Sequence, residues 1–139
     1  MDTNMKKMIM LEHYNNPHNK GLENTDGYEK INVNSPTCID NLDFKIKIDD
    51  DIIKDIKFDG EACAISTSSA SIMTDLLIGK SLKEAQNIID NFDKMIDEKE
   101  FDENILGEAC CYNEISKQPN RIKCATLPYN AVRKILERK

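Results

Sequence analysis

Long hydrophobic runs are missing from this chain of 139 residues. No apolar stretch approaches the roughly 20 residues that a membrane-spanning helix needs. The apolar run from Met8 to Leu11 is too short for a signal peptide, and no small-residue cleavage site follows it. We therefore expect a cytoplasmic protein without a membrane partner, whose residues 1–139 form one domain.

A surplus of positive charge is also missing. The 19 Lys and Arg residues are outnumbered by 25 Asp and Glu residues, which gives a net charge of −6. Aromatic residues make up only 6% of the chain, and no basic stripe with interleaved aromatic residues occurs. This composition argues against a protein that binds nucleic acid.

Cys-x-x-Cys pairs are absent, although the chain has five cysteines. Disulfides rarely persist in a reducing compartment, so these cysteines are candidates for metal binding or thiol chemistry. Scattered cysteines are nevertheless more often buried apolar side chains than metal ligands. From spacing alone, both interpretations stay open.

Alternation of apolar and polar residues predicts three strands. They run from Tyr28 to Val33, from Leu42 to Ile48 and from Ile52 to Phe58. The run Asp49-Asp50-Asp51 predicts a short hairpin between the second and third strands.

Helical patterns flank these strands. Thr3 or Asn4 is predicted to cap a first helix that ends near Pro17, and Ser81 with Glu84 forms a capping box for a later one. A shorter helical segment is predicted from Glu103 to Ile115, and a last helix has Pro128 in its first turn. The order predicts an α+β fold, with an N-terminal helix, a three-stranded antiparallel sheet and several helices packed on it.

The stretch from Gly60 to Ser71 places Cys63 at the beginning of a helix. Backbone N–H groups and the helix dipole favour a thiolate at such a position. Cys124 is predicted to lie just before the last helix, in a similar setting, while Cys38 and Asp40 share a loop. Three thiolates and a carboxylate suffice for a tetrahedral zinc site, and sulfur ligands favour zinc or iron–sulfur chemistry.

Four motifs in a fixed order carry a resemblance to a known family. They are His13-Tyr14-x-Asn16-Pro17-x-Asn19-x-Gly21, Pro36-Thr37-Cys38-x-Asp40, Cys63-x-Ile65-Ser66-x-x-x-Ala70-Ser71 and Arg121-x-Lys123-Cys124-Ala125. Together they resemble the SufU branch of the IscU/NifU-type iron–sulfur assembly proteins. A long insertion before Cys124, and Lys123 in place of the metal-binding histidine of the scaffold branch, favour SufU over IscU.

The resemblance implies a zinc ion bound by Cys38, Asp40, Cys63 and Cys124. It also implies a zinc-dependent sulfurtransferase that accepts persulfide sulfur from a SufS-type cysteine desulfurase and serves downstream iron–sulfur assembly proteins. Cys38 matches the sulfur acceptor of the family, which leaves the zinc when a histidine of the desulfurase replaces it. We expect Arg121 to stabilise the freed thiolate or to offset the charge of the site.

Two other functions stay open at this point. One is a scaffold on which an iron–sulfur cluster is assembled and transferred, and the other is a desulfurase activator in which zinc only shapes the docking surface. The chain also departs from the family pattern, since Ile39 and Ala62 stand where the family has glycine. A β-branched residue at position 39 would be strained if the backbone there required a positive φ.

Several other residues are assigned structural roles. His13 and His18 are expected to order a loop, and the serines between Ser66 and Ser71 to allow close helix packing, since no histidine is nearby in sequence to activate a serine. Of Cys110 and Cys111, one is expected to be a buried apolar residue and the other an incidental thiol.

Overall fold

A computed structural model of the chain describes residues 1–36 and 39–139. Its helices and strands follow the order α1 (Thr3–Asn15), β1 (Glu29–Asn34), β2 (Asn41–Asp49), β3 (Ile52–Glu61), α2 (Ala64–Leu77), α3 (Leu82–Ile96), α4 (Glu103–Leu106) and α5 (Pro119–Glu137). Two 3₁₀ segments, Gly107–Tyr112 and Ile115–Lys117, lie between α4 and α5. The predicted α+β fold, with an N-terminal helix, three strands and then helices, is confirmed.

The three strands form one antiparallel sheet in the order β1-β2-β3. Phe44 of β2 lies opposite Phe58 of β3, and their buried rings stack with centroids 5.7 Å apart. The tight turn between these strands places Asp50 and Asp51 at φ values of 53° and 57°, as a type I′ hairpin requires. The predicted hairpin is therefore confirmed.

Helix α2 is the central helix of the molecule. Its residues from Ser66 to Thr74 are all buried, and it packs against α1 on one side and α5 on another. Serine and alanine side chains let the backbones of neighbouring helices approach closely, as the sequence suggested. Helix α3 begins with the predicted capping box, in which Ser81 and Glu84 each accept a hydrogen bond from the other's backbone N–H.

Two predicted helix boundaries are wrong. Asp2, rather than Thr3 or Asn4, caps α1, because its carboxylate accepts the N–H of Met5 at 2.8 Å. The helix predicted from Glu103 to Ile115 is instead the short α4 followed by 3₁₀ turns, with a break at Gly107, whose φ is 51°.

The last helix begins earlier than the sequence predicts. It is Pro119 that occupies the first turn of α5, where a missing N–H is harmless, and Pro128 lies inside the helix. Cys124 consequently lies within α5 and not before it. Because proline has no N–H, Pro128 cannot make the helical hydrogen bond to the carbonyl of Cys124.

Within the part of the chain that the structure describes, no helix combines the length and the apolar content needed to cross a membrane.

Candidate functional site

Three of the four predicted metal ligands come together in the structure. A carboxylate oxygen of Asp40 and the sulfur atoms of Cys63 and Cys124 all lie within 4.8 Å of one another. Asp40 is buried directly before β2, and the two thiols are free and partly exposed. Cys38 lies outside the described residues, so its place beside the other three stays a prediction.

Cys63 is the N-cap of α2, as the sequence predicts. Its sulfur accepts a hydrogen bond from the backbone N–H of Ser66 at 3.4 Å, at the helix end where a thiolate is favoured. Gly60, just before it, has a φ of 137°, and a Cβ atom there would lie 2.1 Å from the carbonyl oxygen of Asn41. Glycine thus lets the end of β3 approach β2 and brings Cys63 next to the loop that carries Asp40.

The carboxylate of Asp40 is held at both oxygens. Its Oδ1 accepts the backbone N–H of Cys63 at 2.7 Å, and its Oδ2 accepts the hydroxyl of Ser66 at 2.6 Å. The sulfur of Cys63 lies 3.7 Å from Oδ2. Two hydrogen bonds from different donors fix the plane of the carboxylate and leave lone pairs on both oxygens for a metal ion.

The pKa of the Cys124 thiol is raised from 9.0 to about 12. Burial is the largest cause, followed by the hydrogen bond and charge of Cys63 and then by those of Asp40. Two thiols and a carboxylate are thus crowded where their anions repel one another, and a divalent cation would relieve that repulsion. The donor set fits zinc, which accepts sulfur and carboxylate ligands in a tetrahedral arrangement.

Arg121, the residue predicted to offset the charge of the site, lies on the surface of the molecule. Arg121 and Lys123 are both exposed near the beginning of α5, and the described residues supply no ion pair to Arg121. The role of Arg121 toward a freed thiolate stays a prediction.

The two positions where the family has glycine differ in their surroundings. The side chain of Ile39 is 69% exposed. Ala62 is not among the non-glycine residues with positive φ in the described part of the chain, so an alanine fits there without backbone strain.

Ser66 belongs to the site, although its sequence context predicts only a helix-packing role. Its hydroxyl contacts Asp40 and also lies 3.0 Å from the carbonyl oxygen of Cys124, the acceptor that Pro128 leaves without its helical donor. The available signal was its position three residues after the N-cap Cys63. At that spacing a side chain lies at the same end of the helix as the cap.

A second cluster joins α1 to α2. Ligand atoms of His13, His18 and Asp75 lie within 4.8 Å of one another, but these atoms make hydrogen bonds within the protein. His13 Nδ1 lies 2.7 Å from Ser71 Oγ, and His18 Nδ1 lies 2.5 Å from Asp75 Oδ2. The backbone N–H of His18 also donates to Ser71. These contacts support the predicted loop-ordering role of both histidines.

The same contacts bring a histidine next to a serine, although no histidine is near that serine in the sequence. His13 Nε2 lies 3.2 Å from Glu108 Oε1. The ring of His13 therefore contacts Ser71 through one nitrogen and Glu108 through the other. Ser71, however, is fully buried, and its oxygen already accepts a backbone N–H. A substrate could not reach this oxygen, and the arrangement is therefore structural.

Cys110 and Cys111 are both buried, so the burial predicted for one of them extends to the other. Burial raises the pKa of Cys111 from 9.0 to about 12, with a further contribution from the charge of Glu108. A buried thiol that stays protonated is a poor nucleophile, which argues against a redox pair or a second sulfur relay.

The chain is similar to proteins of iron–sulfur cluster assembly. The family model of the NifU-like N terminal domain matches residues 5–125. The zinc-dependent sulfurtransferase SufU of Bacillus subtilis (strain 168) is 42% identical over 135 residues, which cover 96% of this chain and 90% of that protein. The iron–sulfur cluster assembly scaffold protein IscU of Streptococcus pyogenes serotype M1 is 41% identical, over 94% of this chain and 81% of that protein.

Solved structures give the same result. The crystal structure of a hypothetical protein, solved at 2.3 Å, superimposes on this chain with a TM-score of 0.88 and 39% sequence identity. The superposition covers 98% of this chain and 99% of the other protein's chain. A candidate iron–sulfur cluster assembly scaffold protein for the SUF system, from Fervidobacterium islandicum AW-1, gives a TM-score of 0.84 at 29% identity over 98% of this chain and 99% of its own.

Proposed function

Because the chain belongs to the family of NifU-like N terminal domains, we propose that it is a zinc-dependent sulfurtransferase of iron–sulfur cluster assembly. It would accept persulfide sulfur from a SufS-type cysteine desulfurase and pass it to downstream assembly proteins. The observation that carries this proposal is the convergence of Asp40, Cys63 and Cys124, whose ligand atoms lie within 4.8 Å of one another. The similarity to a protein named as a zinc-dependent sulfurtransferase supports it.

Zinc would be held by Cys38, Asp40, Cys63 and Cys124, and when bound it keeps thiolates deprotonated near neutral pH. Of the three cysteines, Cys63 is tied to the N-terminus of α2 and Cys124 lies inside α5. In the sequence, Cys38 falls between the last residue of β1 and the first residue of β2. A side chain on a connecting loop is released more easily than one anchored in a helix, so we assign the role of sulfur acceptor to Cys38.

The transfer is a thiol–persulfide exchange. The freed thiolate of Cys38 attacks the outer sulfur of the desulfurase persulfide and forms a new S–S bond. The S–S bond of the donor breaks, and the desulfurase cysteine leaves as a thiolate. Cys38 then holds the persulfide, and no external oxidant or reductant is needed. Arg121, near the beginning of α5, would offset the negative charge of the freed thiolate.

Exposed apolar side chains next to the site offer a surface for the desulfurase. Tyr14 and Ile39 are 45% and 69% exposed, and both line a groove of about 400 Å³ together with Lys20, Glu61 and Ala62. Large exposed apolar side chains beside polar ones are typical of protein contact sites. Ile39 directly precedes the candidate ligand Asp40 in the sequence, so a partner in this groove would lie beside the candidate metal site.

A scaffold on which an iron–sulfur cluster is built is the second candidate. The similarity to proteins named as IscU scaffolds favours it, because one of them is 41% identical to this chain. Cysteine thiolates are the usual ligands of such clusters. A desulfurase activator is the third candidate, since a zinc site could shape a docking surface without accepting sulfur.

Metal analysis of the full-length protein, purified anaerobically without added metal, separates the candidates. About one zinc per chain, with thiols that are alkylated only after chelation, is expected for the sulfurtransferase. Iron with sulfide and a coloured protein would favour the scaffold instead. A protein with no metal and freely alkylated Cys63 and Cys124 would contradict both.

Sulfur uptake tests the acceptor directly. Cys38→Ala should abolish transfer of labelled sulfur from a SufS-type desulfurase, while Cys111→Ala, which changes a buried thiol outside the site, should leave it unchanged. If Cys38→Ala stimulates the desulfurase as fully as the parent protein does, the activator is favoured and the sulfurtransferase is excluded.

A further inference from the structure

Ser66 contacts every candidate ligand that the structure describes. Its backbone N–H donates to the sulfur of Cys63, and its hydroxyl lies within hydrogen-bond distance of the Asp40 carboxylate and of the Cys124 carbonyl. We propose that Ser66 is the positioning residue of the metal site, which sets the geometry of three ligands without being a ligand itself. This inference rests on the proposed zinc site.

The contact with Asp40 is the shortest of the three. At 2.6 Å the Ser66 hydroxyl is a strong donor to Oδ2, and Ser66 is fully buried, so water does not compete for the bond. Without this donor, the carboxylate would lose one of the two hydrogen bonds described above, and its orientation toward the metal would be held less firmly. Hydrogen bonds of this kind to metal ligands typically contribute about 10–100-fold to metal affinity.

The contact with Cys124 depends on the proline inside α5. Pro128 has no N–H, so the Cys124 carbonyl lacks its helical donor. It accepts a hydrogen bond from the Ser66 hydroxyl at 3.0 Å instead. A hydroxyl has one proton, which Ser66 shares between the carbonyl and the carboxylate. The side chain therefore ties the Asp40 loop, the beginning of α2 and the middle of α5 to one another at the site.

Packing alone would be the simpler explanation for a buried serine on α2. The neighbouring Ser69 has that role, because it is equally buried and its hydroxyl donates to the Ala125 carbonyl at 2.6 Å, yet no contact of its side chain reaches Asp40 or Cys63 among the described residues. Ser69 is therefore a matched control. Both serines bridge α2 to α5, but only Ser66 also contacts ligands of the candidate site.

The experiment measures zinc affinity of the full-length protein by competition with a chromophoric chelator. Ser66→Ala is expected to bind zinc at least 10-fold more weakly than the parent, and Ser69→Ala within about threefold of it. The isosteric pair Ser66→Thr and Ser66→Val separates the hydroxyl from the shape of the side chain. The threonine variant should bind zinc at least 10-fold more tightly than the valine variant.

A double-mutant cycle with Asp40→Asn adds a measurement that a merely structural role would not affect. If Ser66 acts through the carboxylate, Ser66→Ala should reduce zinc affinity much less in the Asp40→Asn background than in the parent protein. Equal losses in Ser66→Ala and Ser69→Ala, or equal affinity of the threonine and valine variants, would overturn the inference. A parent protein that binds no zinc at all would instead overturn the proposed function.

Discussion

Pro128 follows Cys124 by four residues in α5, the spacing at which an N–H normally donates to a C=O in an α-helix. Proline has no N–H, and the hydroxyl of Ser66 in α2 donates to the Cys124 carbonyl instead. The proline thus has a specific effect. It directs the carbonyl of a candidate metal ligand toward α2 and makes one serine responsible for two acceptors.

The energetic coupling of these two positions can be measured in the metal-free protein. Restoring the helical N–H with Pro128→Ala should make Ser66→Ala less costly, because the Cys124 carbonyl then keeps a donor. We expect a coupling free energy of about 1 kcal/mol from urea unfolding of the four proteins in the cycle. Strictly additive effects would show that the carbonyl does not depend on Ser66.

Gly60→Ala should strongly destabilise the protein. Its φ is 137° and an added Cβ would meet the Asn41 carbonyl oxygen at 2.1 Å, so we expect a loss of more than about 3 kcal/mol in the free energy of unfolding. Gly79→Ala is the control, because its φ is 89° but nothing lies within 4 Å of the added atom. The free energy of unfolding of that variant should fall by only about 1–2 kcal/mol, because only the left-handed backbone conformation is unfavourable for alanine there. Similar losses in both would contradict the role of the close approach.

His13→Ala should cost about 3 kcal/mol of stability in thermal or urea unfolding. The buried ring fills space between α1 and α2 and bonds to Ser71. His18→Ala serves for comparison, since that side chain is 47% exposed and pairs with the exposed Asp75. We expect it to lose less than about 1 kcal/mol. A larger loss in His18→Ala than in His13→Ala would contradict the structural role of the buried histidine.

Cys111 should make the free energy of unfolding fall as the pH rises into the alkaline range. Its pKa is about 12 in the folded protein against an ordinary 9.0, so the unfolded chain loses this proton first as the pH rises. Above pH 9 the thiol should therefore lower stability by about 1.4 kcal/mol per pH unit, up to its folded pKa. Urea unfolding of the parent and of Cys111→Ala between pH 8 and 10.5 should show the shallower decline in the variant. Parallel declines would mean that the thiol is not protected by burial.

Local signals in the sequence were enough for most of the fold. The three strands, the hairpin at Asp50 and Asp51 and the capping box at Ser81 each depend on residues a few positions apart, and all were predicted. Cys63 as a helix N-cap follows from Gly60 and the helical pattern after it. The family resemblance added the grouping of Asp40, Cys63 and Cys124, which spacing alone left open.

Contacts between residues far apart in the sequence cannot be predicted from local sequence patterns. A proline favours the first turn of a helix, so Pro128 was placed there, but Pro119 takes that position and Ser66 compensates for the internal proline. His13 and Ser71 likewise meet across two helices, although 58 positions separate them. Such pairs depend on how helices pack, and a single sequence does not encode this in neighbouring residues.

The candidate ligands are spread over three segments, and the last of them along the chain, Cys124, belongs to α5. A ribosome synthesises the chain from the N-terminus, so the Asp40 loop and the Cys63 turn emerge long before α5. Until α5 follows, Asp40 and Cys63 have no Cys124 beside them. The candidate site can thus be completed only after the ribosome has synthesised α5.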